Sequence, residues 1–231
     1  MKKSLIFTLV IFFSINIFAQ VKEYYLEIEV SGPQEINRLE KYVSVDQVNG
    51  NILKAYANPT QLEKLKTTGI NYSLLQHPGT LYKPKMAASV KEAKEWDTYP
   101  TYDAYVDIMY QFATDYPDIC QVFSIGNSVE GREIIFAKIS DNVDVAENEP
   151  ELLYTATMHG DETTGYIMML HLIDYLLTNY GTDDEATMLV DEIEIYINPL
   201  SNPDGTYAGG NSTVFGATRA NANGVDLNRN F

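Results

Sequence analysis

The strongest constraint on this chain is a change of hydrophobic rhythm near Tyr102. From there on, strand-length apolar runs alternate with helix-length ones. Residues 102–116 are amphipathic at helical spacing and stop before Pro117, while 121–125 and 133–139 read as strands around Gly126 and Gly131. Residues 152–158 read as a buried strand, 164–179 is apolar nearly all round, and 192–198 is a further strand before a turn-rich stretch to Phe231. A helix that is apolar on every side belongs against a sheet. Strands alternating with helices make an α/β layer structure.

Upstream the rhythm is different. Residues 22–30 alternate polar and apolar positions through Tyr25, Leu26, Ile28 and Val30, as a strand does. Residues 33–42 place Ile36 and Leu39 at helical spacing behind Pro33. Asn49-Gly50, flanked by strand-like runs, is a hairpin signal. Asn58 can cap a second helix with Pro59 in its first turn, Gly69 stops it, and 72–75 closes the unit as a strand. The order βαββαβ over residues 20–82 predicts a ferredoxin-like α+β unit. Residues 83–98, with four lysines and no sustained alternation, read as a linker, and 99–231 as the second unit.

Residues 1–19 read as a secretory signal. Lys2 and Lys3 make a basic start, 5–15 is an almost unbroken apolar run, and Ala19 offers a small residue before Gln20. The run is shorter than the ~20 residues that span a bilayer. The expectation is therefore an exported protein, extracellular or periplasmic, with no stable membrane insertion after cleavage. Charge sharpens the division. Residues 20–101 hold ten basic and ten acidic side chains, whereas 102–231 hold twenty-two acidic and four basic ones, a net of −18. Such a surface repels phosphates, so nucleic acid is not an expected partner. The single cysteine, Cys120, excludes an internal disulfide and a cysteine-rich zinc module.

Three features of the second unit carry chemistry. His159-Gly160-Asp161-Glu162 follows a strand, and an imidazole with a carboxylate three residues on is a zinc ligand set. Alone it is a weak motif, since a histidine at a strand end is usually structural. Arg219 and Arg229 lie in the last thirteen residues. They either balance nearby acids or hold an anionic group, because an arginine fork matches a carboxylate. Asn202-Pro203-Asp204-Gly205 is a turn signature and by itself says no more.

Taken in order along residues 99–231, these motifs resemble the zinc carboxypeptidases, the group of carboxypeptidases A, B, E and N. The matching stretches are the 102–116 helix, Ile125-Gly126-Asn127-Ser128-Val129-Glu130-Gly131-Arg132, residues 150–165 around the H-x-x-E, 202–205, and Val225-Asp226-Leu227-Asn228-Arg229-Asn230-Phe231. The last is close to the form of the E/N branch. The 20–82 unit is similar to the prodomains of such enzymes. The resemblance implies an incomplete α/β sandwich, a mixed sheet flanked by helices, behind a small prodomain.

It also implies roles. His159 and Glu162 align with two of three zinc ligands, and Arg219 with the arginine that stabilises the oxyanion. Asn228 and Arg229 align with the pair that holds the substrate's terminal carboxylate, and Asp226 with the carboxylate that fixes a zinc-bound histidine. The implied activity is hydrolysis of C-terminal residues from peptides and proteins, with Zn2+ as cofactor. The family's third ligand and catalytic glutamate lie downstream of Phe231. His77 sits in the prodomain-like unit, and His171 lies about 13 Å along its helix from the ligand turn. The chain reads as the N-terminal part of a longer enzyme, inactive as it stands. The alternatives are a related zinc amidohydrolase or cell-wall peptidase, and a non-catalytic binding protein on the same fold. The −18 charge leans the substrate toward basic C-terminal residues. The prodomain-like unit is expected to cover the site until cleavage within 83–96.

Overall fold

The computed structural model describes residues 23–230, so the signal assigned to 1–19 lies outside the described residues. The first unit runs β1 (Tyr24–Glu29), α1 (Pro33–Leu39), β2 (Ser44–Asn49), β3 (Ile52–Ala57), α2 (Pro59–Lys66) and β4 (Ser73–Leu75). Its sheet has the order β2-β3-β1-β4, and every pairing is antiparallel. That is the ferredoxin-like layout expected from the element order. Alternation along β1 buries Leu26 and Ile28, which join Leu39, Leu53, Leu62 and Leu65 in one apolar core. Each such side chain contributes about 2 kcal/mol when removed from water.

Local chemistry sets the boundaries. In the hairpin Asn49 pairs with Ile52, so Gly50 and Asn51 form the turn, and Gly50 takes a left-handed φ of 60°. Asn58 and Gln61 make a reciprocal capping box at the start of α2, with Pro59 behind the cap. Two backbone N–H groups that a helix start leaves unpaired are thereby satisfied.

The second unit begins earlier than its motifs suggest. Residues 83–98, expected as a linker, contain β5 (Met86–Ala87) and α3 (Val90–Ala93), and β5 pairs in parallel with β6 (Tyr99–Pro100). Ala87 and Ala93 are buried in the larger core, with Met86, Val90 and Trp96 packed against it. The small residues that looked linker-like are small because they sit under other elements. The exposed connection between the units is shorter, centred on Leu81, Tyr82 and Lys83.

Then follow α4 (Tyr102–Asp115), β7 (Cys120–Asn127), β8 (Glu133–Ile139), β9 (Glu151–Thr155), α5 (Thr163–Asn179), α6 (Asp184–Glu192), β10 (Glu194–Asn198) and the short α7 (Pro203–Thr206). The sheet order is β7-β8-β10-β9, antiparallel except for the parallel β10–β9 pair. The mixed sheet of an incomplete α/β sandwich is thus present. Tyr166, Leu170, Ile173 and Leu177 of α5 bury against Ile135, Ala137, Ile195 and Ile197 of the strands.

The 152–158 run corrects its reading as a buried strand. The strand ends at Thr155, occupies the sheet edge, and exposes every residue, Leu153 by 60%. Among the described residues β9 pairs on one side only, with β10. Helix α6, which the sequence reading passed over, is capped by Asp183 and buries only Ala186 and Val190. No helix among the described residues is long and apolar enough to cross a membrane.

Candidate active site

The site grows from the C-terminal ends of the neighbouring parallel strands β9 and β10. Beyond them the chains stay paired, with the Ala156 N–H on the Asn198 carbonyl at 2.9 Å and the Asn202 N–H on the Thr157 carbonyl at 3.1 Å. Thr157 then turns the backbone with a positive φ of 55°, unusual for a β-branched residue, and delivers His159. Gly160 follows because nothing larger fits: a Cβ there would collide with the backbone of Gly205 and Thr206. Its N–H meets the Arg219 carbonyl at 3.2 Å, and its own carbonyl accepts from the Thr206 hydroxyl at 2.8 Å. The H-x-x-E turn is therefore clamped between α7 and the loop that carries Arg219.

Within this clamp the motif residues converge. His159 is 7% exposed, with Nδ1 2.9 Å from Glu162 Oε1 and Nε2 3.2 Å from Asp226 Oδ1. The other Asp226 oxygen accepts from Arg219 Nε at 2.9 Å and from the Ser44 hydroxyl. Arg219 Nη1 stands 3.6 Å from Glu162 Oε1. Burial pushes the Asp226 carboxyl up, but the hydrogen bonds from His159 and Ser44 and the Arg219 charge outweigh it and hold the group well below the usual carboxylate range. The Asp226 hydrogen bond likewise raises the His159 pKa, against burial and the Arg219 charge.

The donor set fits zinc. Asp226 takes Nε2 of the imidazole, which turns Nδ1 toward the Glu162 carboxylate, and one imidazole nitrogen beside one carboxylate oxygen is a pair this metal accepts. Neither other histidine joins them. His77 Nε2 meets Glu23 at 3.0 Å while its Nδ1 accepts the Gly79 N–H, and His171 stacks on Trp96 at 5.0 Å. A three-carboxylate group that could hold a cation, Asp141, Glu147 and Glu149, lies on the loop between β8 and β9.

The structure does not bring Asn228 and Arg229 to one cavity. Asn228 lines an open cleft of about 770 Å³ with His159, Glu162, Met168 and Met169. Arg229 lines a separate cleft of about 330 Å³ against the first unit, with Nη1 on the Asn228 carbonyl at 2.8 Å. The 202–205 turn proves to be more than a loop. Asn202 caps α7 and donates to the Arg219 carbonyl at 3.2 Å. Asp204, 3% exposed, accepts from Arg132 Nη1 at 2.8 Å and from Ser128 at 2.6 Å. The signal for this anchor was the buried-type arginine in Glu130-Gly131-Arg132 set against the lone acid of the turn.

The first unit was expected to cover the site. It packs on the 216–226 segment, touching Arg219 and Asp226 through Ser44 and lining the Arg229 cleft, while none of its residues lines the 770 Å³ cleft. Glu23 accepts the backbone N–H groups of Arg219 and Ala220 at 2.7 and 3.0 Å. Tyr56 donates to Asp161 at 2.7 Å, and Asn58 donates to the Gly224 carbonyl at 2.8 Å.

The mixed sheet thus presents His-x-x-Glu at its parallel strand ends, with Asp226 and the buried Arg219 behind it. Residues 105–231 match the zinc carboxypeptidase family, and this chain belongs to that family. It is 46% identical to human carboxypeptidase D over 125 residues, 52% of this chain and 9% of that protein. It is 39% identical to the human carboxypeptidase N catalytic chain over 136 residues, 56% of this chain and 30% of the relative. A zinc carboxypeptidase of Saccharothrix mutabilis subsp. capreolus is 31% identical over 220 residues, 89% of this chain and 51% of the relative. The chain thus spans about half or less of the length of these relatives. The crystal structure of carboxypeptidase A from Helicoverpa armigera shares the fold, with a TM-score of 0.59 at 22% identity over 92% of this chain and 58% of that one.

Proposed function

We propose that this chain is the N-terminal part of an exported, zinc-dependent carboxypeptidase that removes C-terminal residues from peptides and proteins. The observation that carries this reading is the continuous linkage Glu162–His159–Asp226–Arg219 at the strand ends. His159 and Glu162 would hold the zinc, which when bound supplies a Lewis acid and lowers the pKa of a coordinated water to ~7. Asp226 keeps the imidazole in one orientation. Arg219 supplies a fixed positive charge beside those ligands, where a carbonyl oxygen gains negative charge during hydrolysis. Asn228 faces the cleft, and Arg229, held by a single hydrogen bond to the backbone, supplies a fork for a terminal carboxylate. Export rests on residues 1–19, and the −18 charge supports a preference for basic peptides.

Arg229→Ala in the full-length protein is expected to raise KM for peptides with a free C-terminal carboxylate far more than for amidated ones. Equal losses on both would move the reading to an amidohydrolase or a cell-wall peptidase. With His159 and Glu162 as the two proposed ligands, and a catalytic zinc needing three, the 231-residue chain alone is expected to be inactive. The same observation favours a second reading, a non-catalytic protein on this fold. One equivalent of tightly bound zinc in the full-length protein separates the enzyme from that binder.

A further inference from the structure

The backbone bends into the H-x-x-E turn at a residue poorly suited to the bend. Thr157, buried, has a φ of 55°. Glycine and asparagine enter that left-handed region at little cost, whereas a β-branched side chain is an outlier there. What the threonine adds is a hydroxyl, and it is used: Oγ1 donates to the Glu162 carbonyl at 3.1 Å. That bond ties residue 157 to the last residue of the motif. Glu162 is also the N-cap of α5, yet its side chain makes no cap hydrogen bond. Its carboxylate lies instead on His159 Nδ1 at 2.9 Å. A cap residue ordinarily fixes a helix start with its side chain. Here that side chain is engaged elsewhere, and the Thr157 hydroxyl holds the residue by its carbonyl. Gly165, in the first turn of α5, leaves the room: a Cβ there would stand 3.2 Å from the Ala156 Cβ and 4.0 Å from Thr157 Oγ1.

We propose that Thr157 is a positioning residue for the Glu162 carboxylate, and that its hydroxyl is the reason a threonine occupies a left-handed position. Glycine has no side chain with which to reach Glu162, and valine, of the same shape, has no donor. The bond acts on the Glu162 backbone, so it sets where the carboxylate stands against the imidazole. The Thr206 hydroxyl holds the Gly160 carbonyl in the same way at 2.8 Å. Two carbonyls of the turn are thus pinned by two hydroxyls, one from each side of the clamp. The Thr157 carbonyl accepts the Asn202 N–H at 3.1 Å, so the residue that pins the turn is itself tied to the neighbouring chain. The consequence for zinc rests on the carboxypeptidase reading. The pinning of the turn does not.

Two substitutions separate the hydroxyl from the branch. Thr157→Ser keeps the donor and drops the methyl, while Thr157→Val keeps the shape and drops the donor. Both are made in the full-length protein and read in two ways. The first is amide hydrogen exchange at Glu162 in the metal-free protein, whose N–H meets the His159 carbonyl at 3.1 Å. The second is the zinc dissociation constant from chelator competition. Thr157→Val is expected to speed that exchange and to weaken zinc by about fivefold each, the loss of one neutral hydrogen bond. The amides of Ile135 and Ile195, buried in the core, should not change. Thr157→Ser should stay within about twofold of wild type on both, since the hydrogen bond remains. The proposal fails if either readout holds its wild-type value in Thr157→Val, or if Thr157→Ser moves them as far. Should Ile135 and Ile195 open as well, the valine has loosened the whole unit, and Thr157→Ala decides, since it drops the donor and the branch together: Glu162 must speed up while the core amides do not. A wild-type protein that binds no zinc overturns the carboxypeptidase reading, and the exchange rates then decide whether Thr157 pins the turn.

Discussion

The two units differ in where their buried polar groups find partners. In the larger unit such groups pair internally: Arg132 with Asp204 at 2.8 Å, Lys138 with Glu194 at 3.4 Å, and His159 with Asp226. In the smaller unit Ser44 and Tyr56 pair with residues of the other unit, and Glu23 and Asn58 reach across the seam while also pairing with His77 and Gln61 of their own unit. The apolar cores show the opposite independence, each closed on its own elements. A segment whose core is self-sufficient and whose polar side chains are outward-directed can fold as a module and still act on its neighbour.

That contrast can be broken at several points. The largest effect is expected from Asp204→Ala, which strands the Arg132 guanidinium in a site 10% exposed. Breaking a buried pair in this way costs about 3–5 kcal/mol. Urea unfolding should show the loss in the larger unit, and a loss under 1 kcal/mol would mean that Glu130 and Asn211 suffice. Next, Leu26→Ala removes a fully buried side chain from the smaller core and should cost about 3 kcal/mol. If the cores are independent, that variant melts in two steps.

Cys120 reports which step is which. Burial pushes its thiol up to about 12, so at pH 8 it is protonated and shielded while the larger unit is folded. Iodoacetamide should therefore miss Cys120 through the first transition of Leu26→Ala and label it only in the second. Labelling in the first would merge the two units into one cooperative block. Gly160→Ala drives a methyl into the Gly205–Thr206 backbone. It should cost about 1–3 kcal/mol as overpacking and lower zinc affinity, measured by chelator competition in the full-length protein. The smallest effect is expected from Asn58→Ala. This loses the α2 cap and the bond to Gly224, worth about 1 kcal/mol; unchanged stability would show that water replaces both.

Much of this was legible in the residues. Asn58-Pro59, Asn49-Gly50 and the alternation through Leu26 and Ile28 are local signals, and each marks the element found. Residues 83–98 read as a partly helical linker; the helix is α3, and Ala87 and Ala93 are small for a tertiary reason, the closeness of the elements above them. Strand β9 is the element expected, but among the described residues it pairs on one side only, so its apolar residues are exposed. An apolar run states that it prefers burial, while the sheet order decides whether a neighbour is there. The turn at 202–205 hid its role because Asn202 and Asp204 act on Arg219 and Arg132, residues far away in sequence.

By itself the sequence determined the two units, the ferredoxin-like order of the first, the α/β alternation of the second, and the residue types able to hold zinc. These depend on periodicity, caps and turns, whose physics spans a few residues. Only the tertiary structure decided that Asn228 and Arg229 face different clefts, and that the first unit contacts Arg219 and leaves the larger cleft open. Those are contacts between segments up to 197 residues apart, as with Glu23 and Ala220. Their partners are chosen by packing, which no local pattern encodes.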